Sequence, residues 1–149
     1  MIDEFRGQYS FLSNFYPCRI AMDDDIIYPS AEHAYQAQKI TPQMYPDTWR
    51  KRRLDLANYP SPGRAKRLGR AQKLTLTWNV DRLLIMEEIV RRKFVQNKDL
   101  AEKLMSTGRR TLIEGNWWKD VFWGVYQGEG ENHLGRILMK IRSELDGGR

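Results

Sequence analysis

Glu32, Gln36 and Lys39 stand at i, i+4 and i+7 in the stretch Tyr28-Pro-Ser-Ala-Glu32-His33-Ala-Tyr35-Gln36-Ala-Gln-Lys39. On a helix of 3.6 residues per turn they fall within roughly 60° of one another, so a carboxylate, an amide and an amine share one face. Ser30 follows a proline and precedes an Ala/Glu/Gln run, which predicts a helix capped by its hydroxyl. Three alanines and Tyr35 occupy most of the remaining positions and leave the other faces free to pack. A polar stripe this compact and varied suits a polar pocket. The alternative is an exposed helix on which Glu32 and Lys39 are ordinary surface charges.

A second acid draws notice for its surroundings. Asp120 sits in Glu114-Gly-Asn116-Trp117-Trp118-Lys119-Asp120-Val-Phe122-Trp123-Gly124, a tryptophan-dense segment bounded by glycine. Aromatic rings in such a segment can stack on planar ligands, and a carboxylate among them needs a partner. Near the start, Phe11-Leu-Ser-Asn14-Phe15-Tyr16-Pro17 likewise mixes aromatics with an amide. For Trp123 and Phe15 the competing reading is plain core packing.

Cations supply the third kind of chemistry. Residues 49–73 hold nine Lys/Arg against one acid, a net of +8 in a chain whose total is +6. Within that block, Ser61-Pro-Gly-Arg-Ala-Lys66-Arg-Leu-Gly-Arg70 reads as a helix start followed by cations at i and i+4. Helix-start amides together with Lys66 and Arg70 make a phosphate site. The competing reading is a solvated basic face.

The elements that must position these groups are mostly helical. Residues 17–28 read as a hairpin about an acidic turn at Asp23-Asp24-Asp25. After the helix from Ser30, Pro42 and Pro46 interrupt, and Asp47 is expected to cap a helix running through about Asn58. A short basic helix covers about 63–72. The clearest helix runs from Asn79 to about Asn97, with Leu83, Met86, Val90 and Phe94 on one stripe, widened by Ile85 and Ile89. Another spans about 98–106 and stops before Gly108, and 111–114 reads as a short strand. A final helix over about 132–145 buries Leu134, Ile137, Leu138, Ile141 and Leu145 before Gly147-Gly148 ends it. The expectation is one mainly α domain over residues 1–149, with a short N-terminal β-hairpin and minor strand content.

Composition narrows the class. The chain has 149 residues, 41% hydrophobic and 30% charged, which are globular proportions. No apolar run is long enough to span a membrane, and the N-terminus lacks the basic start and apolar segment of a secretion signal. Cys18 is the sole cysteine, so neither an internal disulfide nor a cysteine-based zinc site is expected. With His33 and His133 as the only histidines, no metal centre and no cofactor are expected, and a reducing cytoplasm is the expected home.

Taken together these stretches resemble the YbiA-like, or NADAR, superfamily. Phe11-Leu-Ser-Asn14-Phe15, the Tyr28 to Lys39 stretch and Ala65-Lys66-Arg-Leu-Gly69-Arg70 carry the likeness first. Lys93-Phe94-Val-Gln-Asn97, Leu104-Met-Ser-Thr107-Gly108 with Leu112-Ile-Glu114, Asp120-Val-Phe-Trp123-Gly124 and Asn132-His-Leu134-Gly135-Arg-Ile-Leu138-Met139 follow. They come in the family's order and cover nearly the whole chain. Each is weak alone, whereas the ordered set is specific. The short link Gly115-Asn116-Trp117-Trp118 lies where relatives vary.

The resemblance implies N-glycosidic chemistry on ribosides. Members are similar to enzymes that hydrolyse phosphoribosylamino-pyrimidine intermediates of riboflavin biosynthesis and release ribose 5-phosphate. Others act on ADP-ribose-linked substrates, including ADP-ribose on guanine, which would make an ADP-ribosylated nucleic acid the partner. Cleaving a C1–N bond builds positive charge on ribose, and nearby carboxylates stabilise or capture it. Glu32 in the first turn of its helix is favoured in the ionised form, so it is assigned electrostatic stabilisation or activation of water. Asp120 is assigned protonation of the leaving nitrogen or orientation of the sugar hydroxyls. The two acids are expected to converge on one sugar-sized cavity. Lys39 is either a cation for phosphate or a ring carbonyl, or an amine that attacks C1 of the opened sugar through a Schiff base. Asn14, Gln36 and Asn132 are expected to hydrogen-bond ribose or base, Phe15 and Trp123 to stack, and Lys66 and Arg70 to bind phosphate. The reading from another class is a non-catalytic, basic nucleic-acid-binding module, which explains residues 49–73 but not the Glu32/Gln36/Lys39 face.

Overall fold

The computed structural model describes residues 1–147 and resolves into two compact units, Pro17–Gln96 and a second made of Met1–Tyr16 with the chain from Asn97 onward. The mainly helical expectation is met. Among the described residues there are seven helices, one of them 3-10, and two two-stranded sheets.

In the Pro17–Gln96 unit the hairpin forms as expected. β1 (Ile20–Ala21) pairs antiparallel with β2 (Ile27–Tyr28), in the register Ile20 to Tyr28. Asp25 takes the left-handed conformation at the turn, with φ of 62°. Asp24 uses its carboxylate to close it, Oδ1 accepting from Ile26 N–H and Oδ2 from the buried Tyr28 hydroxyl. α1 (Ala31–Gln38) starts at the expected cap: the Ser30 oxygen accepts from His33 N–H at 3.1 Å.

α2 (Trp49–Ala57) corrects one boundary. The cap position belongs to Thr48, not Asp47, and no side chain caps it. The Thr48 hydroxyl accepts from Arg52 Nε instead. α3 (Pro62–Arg70) opens on Ser61, whose oxygen accepts from Arg64 N–H, with Pro62 in the first turn where its missing N–H costs nothing. α4 (Trp78–Gln96) buries Met86, Ile89, Val90 and Phe94 as its stripe predicts, while Leu83 and Ile85 are half-buried. α1 packs against α2, α3 and α4 and is the buried centre of this unit. Removing these apolar side chains from water is the main favourable term.

Two polar ties fix where α1 begins and ends. His33 Nε2 donates to the Tyr59 carbonyl at 3.0 Å, which leaves Nδ1 to accept from the Ser30 hydroxyl at 2.7 Å. Burial lowers the His33 pKa, so the neutral ring that this geometry needs is also the one favoured. At the other end, the buried Arg53 of α2 donates from Nε to the Ile40 carbonyl, and from Nη1 to Asp24 Oδ2 at 3.0 Å.

The other unit begins with a 3-10 helix (Gly7–Leu12), which the sequence pattern does not predict. α5 (Lys98–Ser106) matches its expected span, and it packs against the 3-10 helix and against α6 (His133–Gly147). α6 buries Leu134, Ile137, Leu138 and Ile141, while Leu145 is half-buried. It runs through Gly147, and Gly148, the other half of its expected stop, lies outside the described residues.

The strand expected at 111–114 is a correction. Leu112 makes a single parallel bridge to Ile2, with Ile2 N–H donating to Thr111 O and Ile113 N–H to Ile2 O. The strands form just after it, β3 (Gly115–Asn116) pairing parallel with β4 (Val125–Tyr126). A side chain on Gly115 would run into the Asp3 carbonyl, so the close approach of the N-terminal segment needs glycine there. No helix among the described residues is long and apolar enough to cross a membrane.

Candidate functional site

Glu32 lies in the first turn of α1, where the aligned N–H groups favour an anion. It is 7% exposed, far below what an unpartnered surface carboxylate shows. Gln36, one turn on and equally buried, donates from Nε2 to Glu32 Oε1 at 2.7 Å. The polar stripe of α1 therefore faces inward, not out into solvent.

Lys39 occupies the position after the last helical residue and is half-buried. Its ammonium stands 5.6 Å from the centre of the Tyr35 ring and 5.9 Å from that of Trp78, at the start of α4. The two rings tilt against one another with centroids 5.5 Å apart. Burial pushes the Lys39 pKa below the ordinary lysine range. The Glu32 carboxylate opposes that shift, and Arg70, Lys66 and Arg82 add to it. Helices α1, α3 and α4 thus bring one carboxylate and three further cations into electrostatic range of Lys39. Such a set has the charge to hold an anionic group and leaves an amine closer to its neutral, nucleophilic form.

Of the residues expected in the site, Glu32, Gln36, Lys39, Lys66 and Arg70 are brought together in this unit. Three participants escaped the sequence reading. Arg82 and Trp78 share a face of α4 at i and i+4 that its apolar stripe does not mark, and Trp78 lies one residue before the expected start at Asn79. Tyr35 packs in the core, and its ring also lies 5.6 Å from the Lys39 ammonium.

The remaining expected residues belong to the other unit. Asp120 Oδ1 accepts from the backbone N–H of Phe122 at 3.1 Å and of Trp123 at 2.9 Å. Its own backbone is held at both ends by the Asn116 amide, which donates to Asp120 O and accepts from Asp120 N–H. The partner that a half-buried acid requires is thus its own loop. Trp123 is half-buried and packs edge-on against Phe122, with centroids 4.8 Å apart. Asn132 takes φ of 54°, and both ends of its amide hold the preceding segment: Nδ2 donates to Leu112 O and Oδ1 accepts from Glu114 N–H. Asn14 is half-buried and Phe15 is exposed.

This unit also carries an open depression of about 490 Å³, bordered by Asp3, Glu4, Arg6, Asn116 and Trp117, with the Arg6 guanidinium stacked 3.8 Å from the Trp117 ring centre. Among the described residues no group of three or more His, Cys, Asp or Glu is placed to hold a metal ion.

The comparison with known proteins fits this architecture. The family model described as the NADAR domain matches residues 3–146. The chain belongs to the NADAR family. It is 35% identical to an N-glycosidase of Nostoc punctiforme, over 92% of this chain and 86% of that protein. It is 32% identical to N-glycosidase YbiA of Escherichia coli, over 92% and 82% respectively. A riboflavin biosynthesis protein of Vibrio vulnificus is 41% identical over 92% of this chain, which spans only 36% of that longer protein. The solution structure of the E. coli protein YbiA superposes with a TM-score of 0.80 at 30% identity, covering 99% of this chain and 88% of that one. The motif-based resemblance is borne out, and the expected enzyme class is the one that the Nostoc punctiforme and Escherichia coli relatives carry in their names.

Proposed function

We propose that this NADAR protein is an N-glycosidase that hydrolyses the C1–N bond of a phosphorylated riboside, with a phosphoribosylamino-pyrimidine intermediate of riboflavin biosynthesis as substrate and ribose 5-phosphate as product. The observation that carries the reading is a buried, hydrogen-bonded Glu32 on α1 with a partly desolvated Lys39 at the C-cap of the same helix, within electrostatic range of Lys66, Arg70 and Arg82. The cations hold the phosphate, and the carboxylate stabilises positive charge as it grows at C1.

Two routes use the same groups. In direct hydrolysis a water oxygen bonds to C1, the C1–N electron pair leaves with nitrogen, and the water proton ends there. In the covalent route the sugar ring opens, Lys39 Nζ adds to C1, and the base departs as its amine. Water then hydrolyses the Lys39 imine to the aldehyde and restores the lysine. The lowered Lys39 pKa favours the covalent route, because the free amine is populated nearer neutrality than on an ordinary lysine.

The test is incubation of the protein with phosphoribosylamino-pyrimidines, NAD, ADP-ribose and ADP-ribosylated guanosine, with mass detection of the freed base. Borohydride added during turnover should trap a sugar adduct on Lys39, and the yield should climb with pH and level off below the ordinary lysine range. An active protein that gives no adduct, with an equally active Lys39→Arg variant, would leave direct hydrolysis.

A second reading has a specific observation behind it. Lys51, Arg52, Arg64, Arg67, Arg70 and Lys73 are all exposed, more cations than one riboside phosphate requires. Such a surface suits removal of ADP-ribose from guanine in a nucleic acid, whose backbone it would engage. Cleavage of ADP-ribosylated guanosine in preference to the pyrimidine ribosides would select it.

A further inference from the structure

The Gln36 amide has two ends in different situations. Nε2 donates to Glu32, whereas Oε1 is buried and accepts no hydrogen bond from the described residues. That oxygen points at the backbone of α3. A methyl group built on Gly69 would lie 2.6 Å from Gln36 Cδ, 2.9 Å from its Cβ and closer still to Oε1.

Gly69 itself is buried in the last turn of α3 and does not take a positive φ, so its conformation is open to any residue. A helix interior prefers alanine to glycine, and a glycine kept there answers to space. Gly63, in the first turn of the same helix, has nothing within 4 Å of the same added atom. The demand for an absent side chain is thus particular to the position opposite Gln36.

We infer that Gly69 is a positioning residue for Glu32: its missing side chain leaves the slot in which the Gln36 amide lies with its N–H end on the carboxylate. The inference rests on the reading of Glu32 as the reacting carboxylate. With Oε1 in the slot, the atom presented to Glu32 is a donor, and a donor favours the ionised acid. Lys39 at the end of α1 is within electrostatic range of Glu32, of Lys66 and Arg70 on α3, and of Arg82 on α4. From α2, Arg53 is engaged with Asp24 and the Ile40 carbonyl, and from β2 the Tyr28 hydroxyl donates to Asp24. A side chain at residue 69 therefore displaces the Gln36 amide and takes a stabilising donor from Glu32.

The experiment is kcat/KM against pH for the native protein, Gly69→Ala, Gln36→Ala and the double variant. The acidic limb should move up by about one pH unit in Gly69→Ala, by a similar amount in Gln36→Ala, and no further in the double variant. An unmoved limb in folded Gly69→Ala, or shifts that add in the double variant, overturns the inference. Should Gly69→Ala fail to fold, Gly69→Ala combined with Gln36→Gly decides as the double variant, because it also removes the Gln36 Cβ that lies 2.9 Å from the added methyl. A folded double variant shows that the slot is reserved for the Gln36 side chain. An unfolded one shows that helix packing alone demands glycine, and the inference falls. Glu32→Gln separates the two levels: a fully active Glu32→Gln sinks the functional reading. An inactive one beside an unmoved Gly69→Ala limb sinks the positioning role alone.

Discussion

Glu32 and Asp120 are both acids expected to do chemistry, and the chain treats them differently. Glu32 stands on a helix whose first turn is capped by Ser30, and its carboxylate has a side-chain amide as partner, at 2.7 Å. Asp120 stands in a segment without regular structure, and its Oδ1 closes that segment by accepting two backbone N–H groups. An acid on a regular element is available for reaction, whereas an acid in an irregular loop first has to stand in for the hydrogen bonds that secondary structure would supply.

The comparison breaks most sharply at Glu32. Glu32→Gln keeps the shape and removes the charge, so turnover should fall about 100- to 10,000-fold with an unchanged melting temperature. Wild-type-like turnover would place the chemistry elsewhere.

A smaller effect is expected of the cations. Lys66→Ala combined with Arg70→Ala should raise KM for the phosphorylated substrate by about 10- to 100-fold and leave the dephosphorylated form nearly unaffected. Equal losses on both would mark a folding defect.

The smallest effect sharpens the loop half. Asp120→Ala loses both backbone acceptances and should cost about 1 kcal/mol of stability in urea unfolding, whereas Asp120→Asn retains an acceptor oxygen and should cost less than about 0.5 kcal/mol. An Asn variant with native stability and lost turnover would give Asp120 a chemical part beyond its loop.

What the residues disclose in advance follows the range of the forces involved. The spans of α1, α3 and α5 are readable because their signals are local: Ser30 and Ser61 cap, Pro62 starts, and Gly108 follows the stop. Asp47 misleads because an acid near a helix start resembles a cap until its neighbour, Thr48, takes the position. The strand expected at 111–114 shrinks to one bridge because its partner is Ile2, over a hundred residues away, and nothing local announces that pairing. The site divides the same way. The Glu32, Gln36 and Lys39 stripe follows from helical spacing, and Lys66 and Arg70 from their charge. Arg82, Trp78 and Gly69 become meaningful only once α3 and α4 are seen to close on α1. Family resemblance supplies the class of reaction, and no pattern of spacing could have done so.

The guanidinium of Arg53 links three stretches that are remote along the chain, the acidic turn of the hairpin, helix α2, and the carbonyl next to Lys39. The hairpin turn is thereby braced against the C-terminal end of α1. Damage to the hairpin, such as loss of Asp24, would strand a buried cation and be felt as slackness at the far end of α1, so the part of this unit that looks most dispensable is among those it can least do without.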